Sequence, residues 1–255
     1  MEARRASDLL LAVRLMPGVT AGLFAVAVCL PAYLRFEPVM GEERTGVFLW
    51  FLATLSVLVC GQAVARLAAA MASSKQRDPD APVLRLTGIL SPRVVVSPQV
   101  RAALTDEQWH TVMRHEQAHL VSKDNLKRAI LLLAPGLWPF DRGFGAVEKA
   151  WVEATERAAD AAAVDGDEDR AVLLAEALVR VARLGLDRHA SLLASSFATD
   201  ADHLRERVGA LLSGPPPTAH GSPIVPGLAL SLMACVALLQ PWLGAIHELL
   251  ERLVD

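Results

Sequence analysis

The sequence predicts a mainly α-helical membrane protein, with three transmembrane helices and, between the second and third, a helical domain that carries a small β-hairpin. Three observations predict it. Three long stretches lack any charged residue; a series of segments in the middle of the chain repeats apolar residues at helical spacing; and one short region there is rich in β-branched residues broken by turn formers.

The first charge-free run, Leu15–Leu34, lies between Arg14 and Arg35 and includes Met16; the second, Gly46–Ala65, lies between Arg44 and Arg66. The third, Gly221–His247, includes Leu228, Leu230, Met233, Val236 and Leu239. About 20 apolar residues cross a hydrocarbon core of roughly 30 Å, so each run is long enough to span. Pro17, Pro31, Pro226 and Pro241 fall within or near these runs, where membrane helices tolerate proline. The first run is longer than the apolar region of a cleaved signal peptide and reads as an anchor. The composition agrees: 53% hydrophobic and 21% charged residues, with a mean hydropathy of +0.35, exclude a disordered chain. A net charge of −3 excludes a general basic footprint for nucleic acid. Cys29, Cys60 and Cys235 are odd in number, far apart and inside apolar runs, so they form neither a disulfide framework nor a Cys-x-x-Cys metal site.

Orientation follows from the basic residues. Arg4, Arg5 and Arg14 precede the first run, and Arg66, Lys75 and Arg77 follow the second. The loop between them balances Arg35 and Arg44 with Glu37, Glu42 and Glu43, and the tail after the third run has only Arg252. The positive-inside rule then places the N-terminus and the long middle segment in the cytoplasm. The expected organisation is a two-span membrane hairpin over 1–67, a cytoplasm-facing domain over 68–213, a Pro-rich linker over 214–222, and a C-terminal transmembrane helix with a short tail over 223–255.

Within the middle segment, Val83, Leu84 and Leu86, then Val94, Val95 and Val96, predict two short strands separated by Gly88, Ser91 and Pro92. Thr105 to Gln108 forms a capping box that opens a helix through Trp109, Val112 and His115 towards Leu120. Further helices are expected at about 126–137, 145–164, 170–185 and 201–213, with Asp165–Asp169 as a solvated acidic turn. The apolar stretch Ala129–Phe140 is too short to span and suits a core helix or an interfacial element.

The capped helix carries His115-Glu116-Gln117-Ala118-His119, an HExxH sequence. Residues i and i+4 share a helix face, so two imidazoles there can reach one zinc ion, with Glu116 beside the water as general base for attack on a peptide carbonyl. A catalytic zinc needs a third protein ligand, and no histidine follows at the HExxHxxGxxH spacing. The ligand is therefore expected to be a carboxylate from another helix. Glu156 offers one, with Asp160 on the same face to accept the outer N–H of a zinc-bound imidazole; Glu153 competes as ligand one turn earlier. Ala158, Ala159 and Ala161 would let this helix approach the first closely. An oxyanion needs a further donor, for which His203, Arg207 and His189 are candidates. Asp124-Asn125 is expected to cap or orient the end of the active-site helix. His110, off the motif's face, reads as structural, and His220 and His247 as interfacial.

Glu-x-x-x-Asp downstream of HExxH resembles the gluzincin membrane peptidases, and the surrounding residues resemble most the BlaR/MecR family of integral-membrane zinc peptidases. The likeness rests on Ser91-Pro92-Arg93-Val94-Val95-Val96-Ser97-Pro98, on Ser122-Lys123-Asp124-Asn125 after His119, on Trp151 to Asp160 leading into Ala161-Ala162-Ala163, and on Leu204-Arg205-Glu206-Arg207-Val208. The CAAX-processing and HtpX-like proteases are the second choice. Two departures stand out: no penicillin-binding sensor domain is expected after the last span, so β-lactam sensing is not implied, and Ala159 stands where the family often has Cys.

The resemblance implies a gluzincin-like peptidase domain holding one Zn2+ and acting on a protein or peptide substrate, such as a transcriptional repressor or membrane partner. The bilayer is the other expected partner, and nucleic acid is not. The alternative is a catalytically inactive membrane scaffold or signalling subunit that retains the gluzincin fold. A complete His115, Glu116, His119 and Glu156 set favours the enzyme, because a scaffold is free to lose the general base.

Overall fold

The computed structural model describes residues 2–31, 34, 47–75, 84–134, 141–184 and 201–214. Among these residues it is mostly helical, with eight α-helices and one two-stranded sheet: α1 (Glu2–Phe24), α2 (Val47–Lys75), β1 (Leu84–Thr87), β2 (Arg93–Val96), α3 (Pro98–Ala103), α4 (Asp106–Ser122), α5 (Asp124–Leu133), α6 (Asp141–Val164), α7 (Glu168–Arg183) and α8 (Ala201–Leu212). α1 continues through a π-helical turn, Ala25–Cys29.

Two helices among the described residues are long and apolar enough to cross a membrane, Glu2–Cys29 and Trp50–Ala72, rather than the three expected. The third expected span, over 223–255, lies outside the described residues, as do His189, His220, His247 and 135–140 of the apolar stretch. Along both helices large apolar side chains face outward, among them Val19, Leu23, Val26 and Leu30 on the first and Trp50, Phe51, Val57 and Leu58 on the second. Exposed apolar side chains in such number mark a surface suited to a membrane or a partner.

The first helix starts earlier than its apolar run. Residues 2–14, which precede that run, continue the same helix because they have a surface to pack on: α1 lies along α6 and also meets α5. Arg14, almost fully buried, donates from Nε to Glu148 Oε1 at 3.1 Å and from its guanidinium to the Ala134 carbonyl at 3.0 Å, and it stacks over Phe144. Arg66 of α2 meets the same Glu148 at 3.4 Å. The two arginines that bound the first and second apolar runs thus converge on one carboxylate of α6.

β1 and β2 pair antiparallel, Leu84 opposite Val96 and Thr87 opposite Arg93. The turn needs glycine at position 88: its φ is +97°, and a Cβ there would stand 2.8 Å from the Ser91 carbonyl oxygen. Ser97 caps the short α3, with Pro98 in its first turn, a helix absent from the sequence expectation although both signals are present. The core joins Leu84 of the hairpin, Val100, Leu104 and Val112 with Ala163 of α6 and Leu174, Ala177, Leu178 and Val181 of α7; Leu204, Val208 and Leu211 of α8 cover it. A smaller cluster seats α5 on α2 through Ala129, Leu132 and Ala70, with Ile89 of the hairpin beside it. The acidic turn at 165–169 is more than a solvated connection, since the Asp167 side chain accepts from the Arg170 N–H and caps α7.

Candidate metal centre

α4 is fixed at its start by the expected capping box: Thr105 Oγ1 accepts from the Gln108 N–H while Gln108 Oε1 accepts from the Thr105 N–H. Its buried residues, Gln108, Thr111, Val112, His115, Glu116 and His119, recur at three- and four-residue steps and so form one inward stripe. Two of the stripe's polar groups are satisfied outside the metal motif, Gln108 by a 2.8 Å bond to Glu176 Oε2 and Thr111 by the Glu107 carbonyl. The other three, His115, Glu116 and His119, are almost fully buried.

α6 packs across α4 and brings Glu156 to the histidines. His115 Nε2 and His119 Nε2 stand 3.1 Å apart, with Glu156 Oε2 3.6 Å from the first and Oε1 3.7 Å from the second. One ligand atom from each of the three residues lies within 4.8 Å of the others, as a metal site requires. Glu153, the competing ligand, faces elsewhere, paired with Arg157 at 3.5 Å and with His203 at 3.5 Å. Close approach of the helices depends on small residues, though in a register shifted from the expected one. Ala154, Ala159 and Ala163 are buried, whereas Ala161 is exposed and Ala158 half-buried.

Both imidazoles are held from behind. His115 Nδ1 lies 2.9 Å from Asp160 Oδ1, and His119 Nδ1 lies 2.8 Å from Asp124 Oδ2. Asp160 thus stands behind His115. The partner of His119 was missed. Asp124 follows a residue, Lys123, with φ 55° and ψ 40°, which ends α4 in the left-handed conformation and turns the chain back so that Asp124 faces the motif. An Asp just past the end of an HExxH helix was the available signal. Its neighbour Asn125 donates to the Leu86 and Gly88 carbonyls at 3.2 and 2.9 Å, tying the hairpin to this corner.

Arg207 of α8 completes the cluster. It donates from Nε to Asp160 Oδ2 at 2.8 Å and from one terminal nitrogen to Asp160 Oδ1 at 2.7 Å, while the other lies 3.1 Å from Glu156 Oε2. Of the candidate oxyanion donors among the described residues, then, Arg207 has all three guanidinium nitrogens directed at carboxylates, and His203, half-buried, faces Glu153. His110 is exposed on the opposite side of α4.

The electrostatics follow from burial and from these pairs. Burial pushes Glu116 up from the usual carboxylate range, against the pull of His115 and His119, and its Oε2 is buried with no hydrogen-bond partner. Burial would raise Glu156 too, yet Arg207 and the imidazoles outweigh it and hold this carboxyl down at about 2. Asp160 is likewise held well below its ordinary value, burial being outweighed by Arg207 and His115. For His115 burial lowers the pKa, but the carboxylates of Asp160 and Glu156 prevail and raise it to about 9.

These residues fit a cation. With a proton on each Nδ1 facing its aspartate, both Nε2 lone pairs point into one space 3.1 Å wide beside the Glu156 carboxylate. Only a positive charge between them, a proton or a metal ion, relieves that arrangement. The two compete, which gives a pH prediction. His115 in the fold binds its proton up to about pH 9, above its ordinary 6.5. That proton stabilises the metal-free fold fully below about pH 6.5, and the contribution is lost as pH rises through about 9. Metal uptake runs the other way, strengthening about tenfold per pH unit until it levels near pH 9. Metal titrations from pH 6 to 10 check this, and levelling near 6.5 would show that the carboxylates do not hold the His115 proton.

The family model for the BlaR1 peptidase M56 matches residues 52–211, more than half of the chain, and spans every residue of this cluster. No curated protein and no solved structure matches the chain.

Proposed function

The chain belongs to the BlaR1 peptidase M56 family, and from that premise we propose that it is a membrane-bound zinc endopeptidase acting on a protein substrate at the cytoplasmic face. The observation that carries the reading is the convergence of His115, His119 and Glu156 within 4.8 Å, next to a buried Glu116 carboxylate with an unpartnered oxygen. Two imidazoles and one carboxylate are a donor set suited to zinc, with a coordination position left over for chemistry.

In this reading His115, His119 and Glu156 hold the ion, which when bound acts as a Lewis acid that polarises a carbonyl and makes water acidic. Glu116 takes a proton from the attacking water and returns it to the leaving amine nitrogen. Its raised pKa suits both halves of that transfer. Asp160 and Asp124 fix the tautomers of His115 and His119, so that each presents Nε2 to the ion. Arg207 keeps Glu156 and Asp160 ionised and in place. His203 and Arg207, the sequence candidates for the oxyanion donor, are both engaged with carboxylates, the first with Glu153 and the second with Glu156 and Asp160.

Support for the membrane placement comes from the two apolar helices and from Glu148. Arg14, where the first apolar run begins, and Arg66, where the second ends, both reach this residue. A chain that leaves for the membrane and comes back to the same carboxylate forms a hairpin whose two ends share one side. The positive-inside rule makes that side the cytoplasm. A cytoplasmic site suits a soluble substrate such as a repressor as well as a membrane partner.

The test is the zinc content of the detergent-purified protein, wild type beside Glu156→Ala. Near-stoichiometric zinc in the wild type, and a fall in the variant, is the expected result. Wild type that carries no zinc, and takes none up when it is offered, would favour the inactive scaffold instead.

A further inference from the structure

Arg4 lies on the first helix, ahead of its apolar run, and far in sequence from the metal cluster. One of its terminal nitrogens donates to Asp124 Oδ1 at 3.1 Å and to the Ser122 carbonyl at 3.1 Å, and the other reaches Asp124 Oδ2 at 3.4 Å. The carboxylate it grips is nearly fully buried, and the same carboxylate stands 2.8 Å from His119 Nδ1. The Ser122 carbonyl belongs to the last turn of α4, so Arg4 also meets the negative end of the helix that bears both histidines. A planar guanidinium with two donors on one carboxylate fixes its orientation as well as its position.

We infer that Arg4 is a positioning residue for the metal centre: it holds Asp124, Asp124 holds the His119 ring, and the first membrane helix is thereby part of the support of the site. The inference rests on the proposed reading of His115, His119 and Glu156 as metal ligands. Asp124 needs such a partner. Buried beside His119, it accepts through Oδ2 from that ring and meets Arg4 through both oxygens, with Arg128 as a further positive charge near it. Without Arg4 the carboxylate can rotate, and His119 loses the fixed acceptor that keeps its Nε2 turned to the ion. A second tie strengthens the link between the membrane helices and the site. Arg14 and Arg66 grip Glu148, two helical turns before Glu156 on α6. Displacement of α1 therefore reaches one ligand through Arg4 and Asp124, and another through Glu148 and α6.

The test uses the full chain in detergent, with Co2+ as probe, reading both the dissociation constant and the visible ligand-field spectrum. Arg4→Ala is expected to weaken Co2+ binding about tenfold, the lower end of the 10- to 100-fold range for groups that orient metal ligands, and to change the spectrum. Arg4→Lys, which keeps the charge but not the two-pronged grip, should fall between. Asp124→Asn should lose at least as much, and adding Arg4→Ala to it should cost little more, because both changes break one chain of contacts. Asp8→Ala removes the other ion pair between α1 and α5, to Lys127, and should leave Co2+ affinity unchanged. Equal Co2+ affinity in Arg4→Ala and wild type would overturn the inference. So would fully additive losses in the double variant, which would mean that Arg4 acts only by seating the helix. Failure of the metal reading itself looks different: the wild type would bind no Co2+, and His119→Ala would change nothing.

Discussion

Replacing Glu116 by alanine is expected to lower peptide-bond hydrolysis by about 10²- to 10⁴-fold, the span of a lost general base, while zinc content and thermal stability stay near those of the wild type. The separation follows from geometry. Glu116 belongs to the buried stripe of α4, yet it is not among the three residues whose ligand atoms converge, and its Oε2 has no hydrogen-bond partner to leave stranded. Burial already holds its pKa above the usual carboxylate range, so neutralising it removes an unfavourable buried charge rather than a favourable contact. Glu116→Gln keeps the shape and should be as inactive as the alanine variant. The measurement is cleavage of a protein substrate by detergent-solubilised enzyme, with metal analysis on the same samples. Full activity in either variant would remove Glu116 from the mechanism, and loss of zinc in both would mean that it supports the site rather than the reaction.

What the sequence made legible was what depends on local spacing. The capping box at Thr105, the stripe that carries His115 and His119, and the Glu156 and Asp160 face each need only neighbours three or four residues away, and all appear in the fold. The strand pair is read from β-branched residues and a glycine turn, again local. Partnerships across large sequence separation that no metal-ligand pattern carries were not legible. Arg4 and Asp124 are 120 positions apart, Arg14 and Glu148 are 134 apart, and nothing in the pattern around any of them names the other. The early start of α1 belongs to the same class, since its polar first turns gain a reason to be helical from α5 and α6, far along the chain. Asp124 is intermediate: it is close to His119 in sequence, but its return depends on a left-handed Lys123, a conformation that sequence signals weakly when the residue is not glycine.

Arg207→Ala is expected to destabilise the metal-free protein by about 3–5 kcal/mol, the cost of leaving a buried charge without its partner. Arg207 is itself buried, and its three nitrogens face Asp160 twice and Glu156 once, so its removal strands two carboxylates inside the domain at one stroke. A bound cation restores part of the balance beside Glu156, and the loss should therefore be smaller in zinc-loaded protein than after chelation. The acid limb supplies an independent check. Glu156 sits at about 2 rather than its ordinary 4.5, so its contribution to stability is complete above pH 4.5 and is lost as pH falls towards 2. Without Arg207, first among the charges that outweigh burial, its pKa rises and acid unfolding of the variant begins at higher pH. Combining Arg207→Ala with Asp160→Ala should recover part of the stability, because the second change removes one of the stranded charges. Denaturation followed by tryptophan fluorescence, with and without chelator, measures each of these terms. Equal midpoints for wild type and Arg207→Ala in the metal-free state would mean that the guanidinium is not what keeps the two carboxylates buried and ionised.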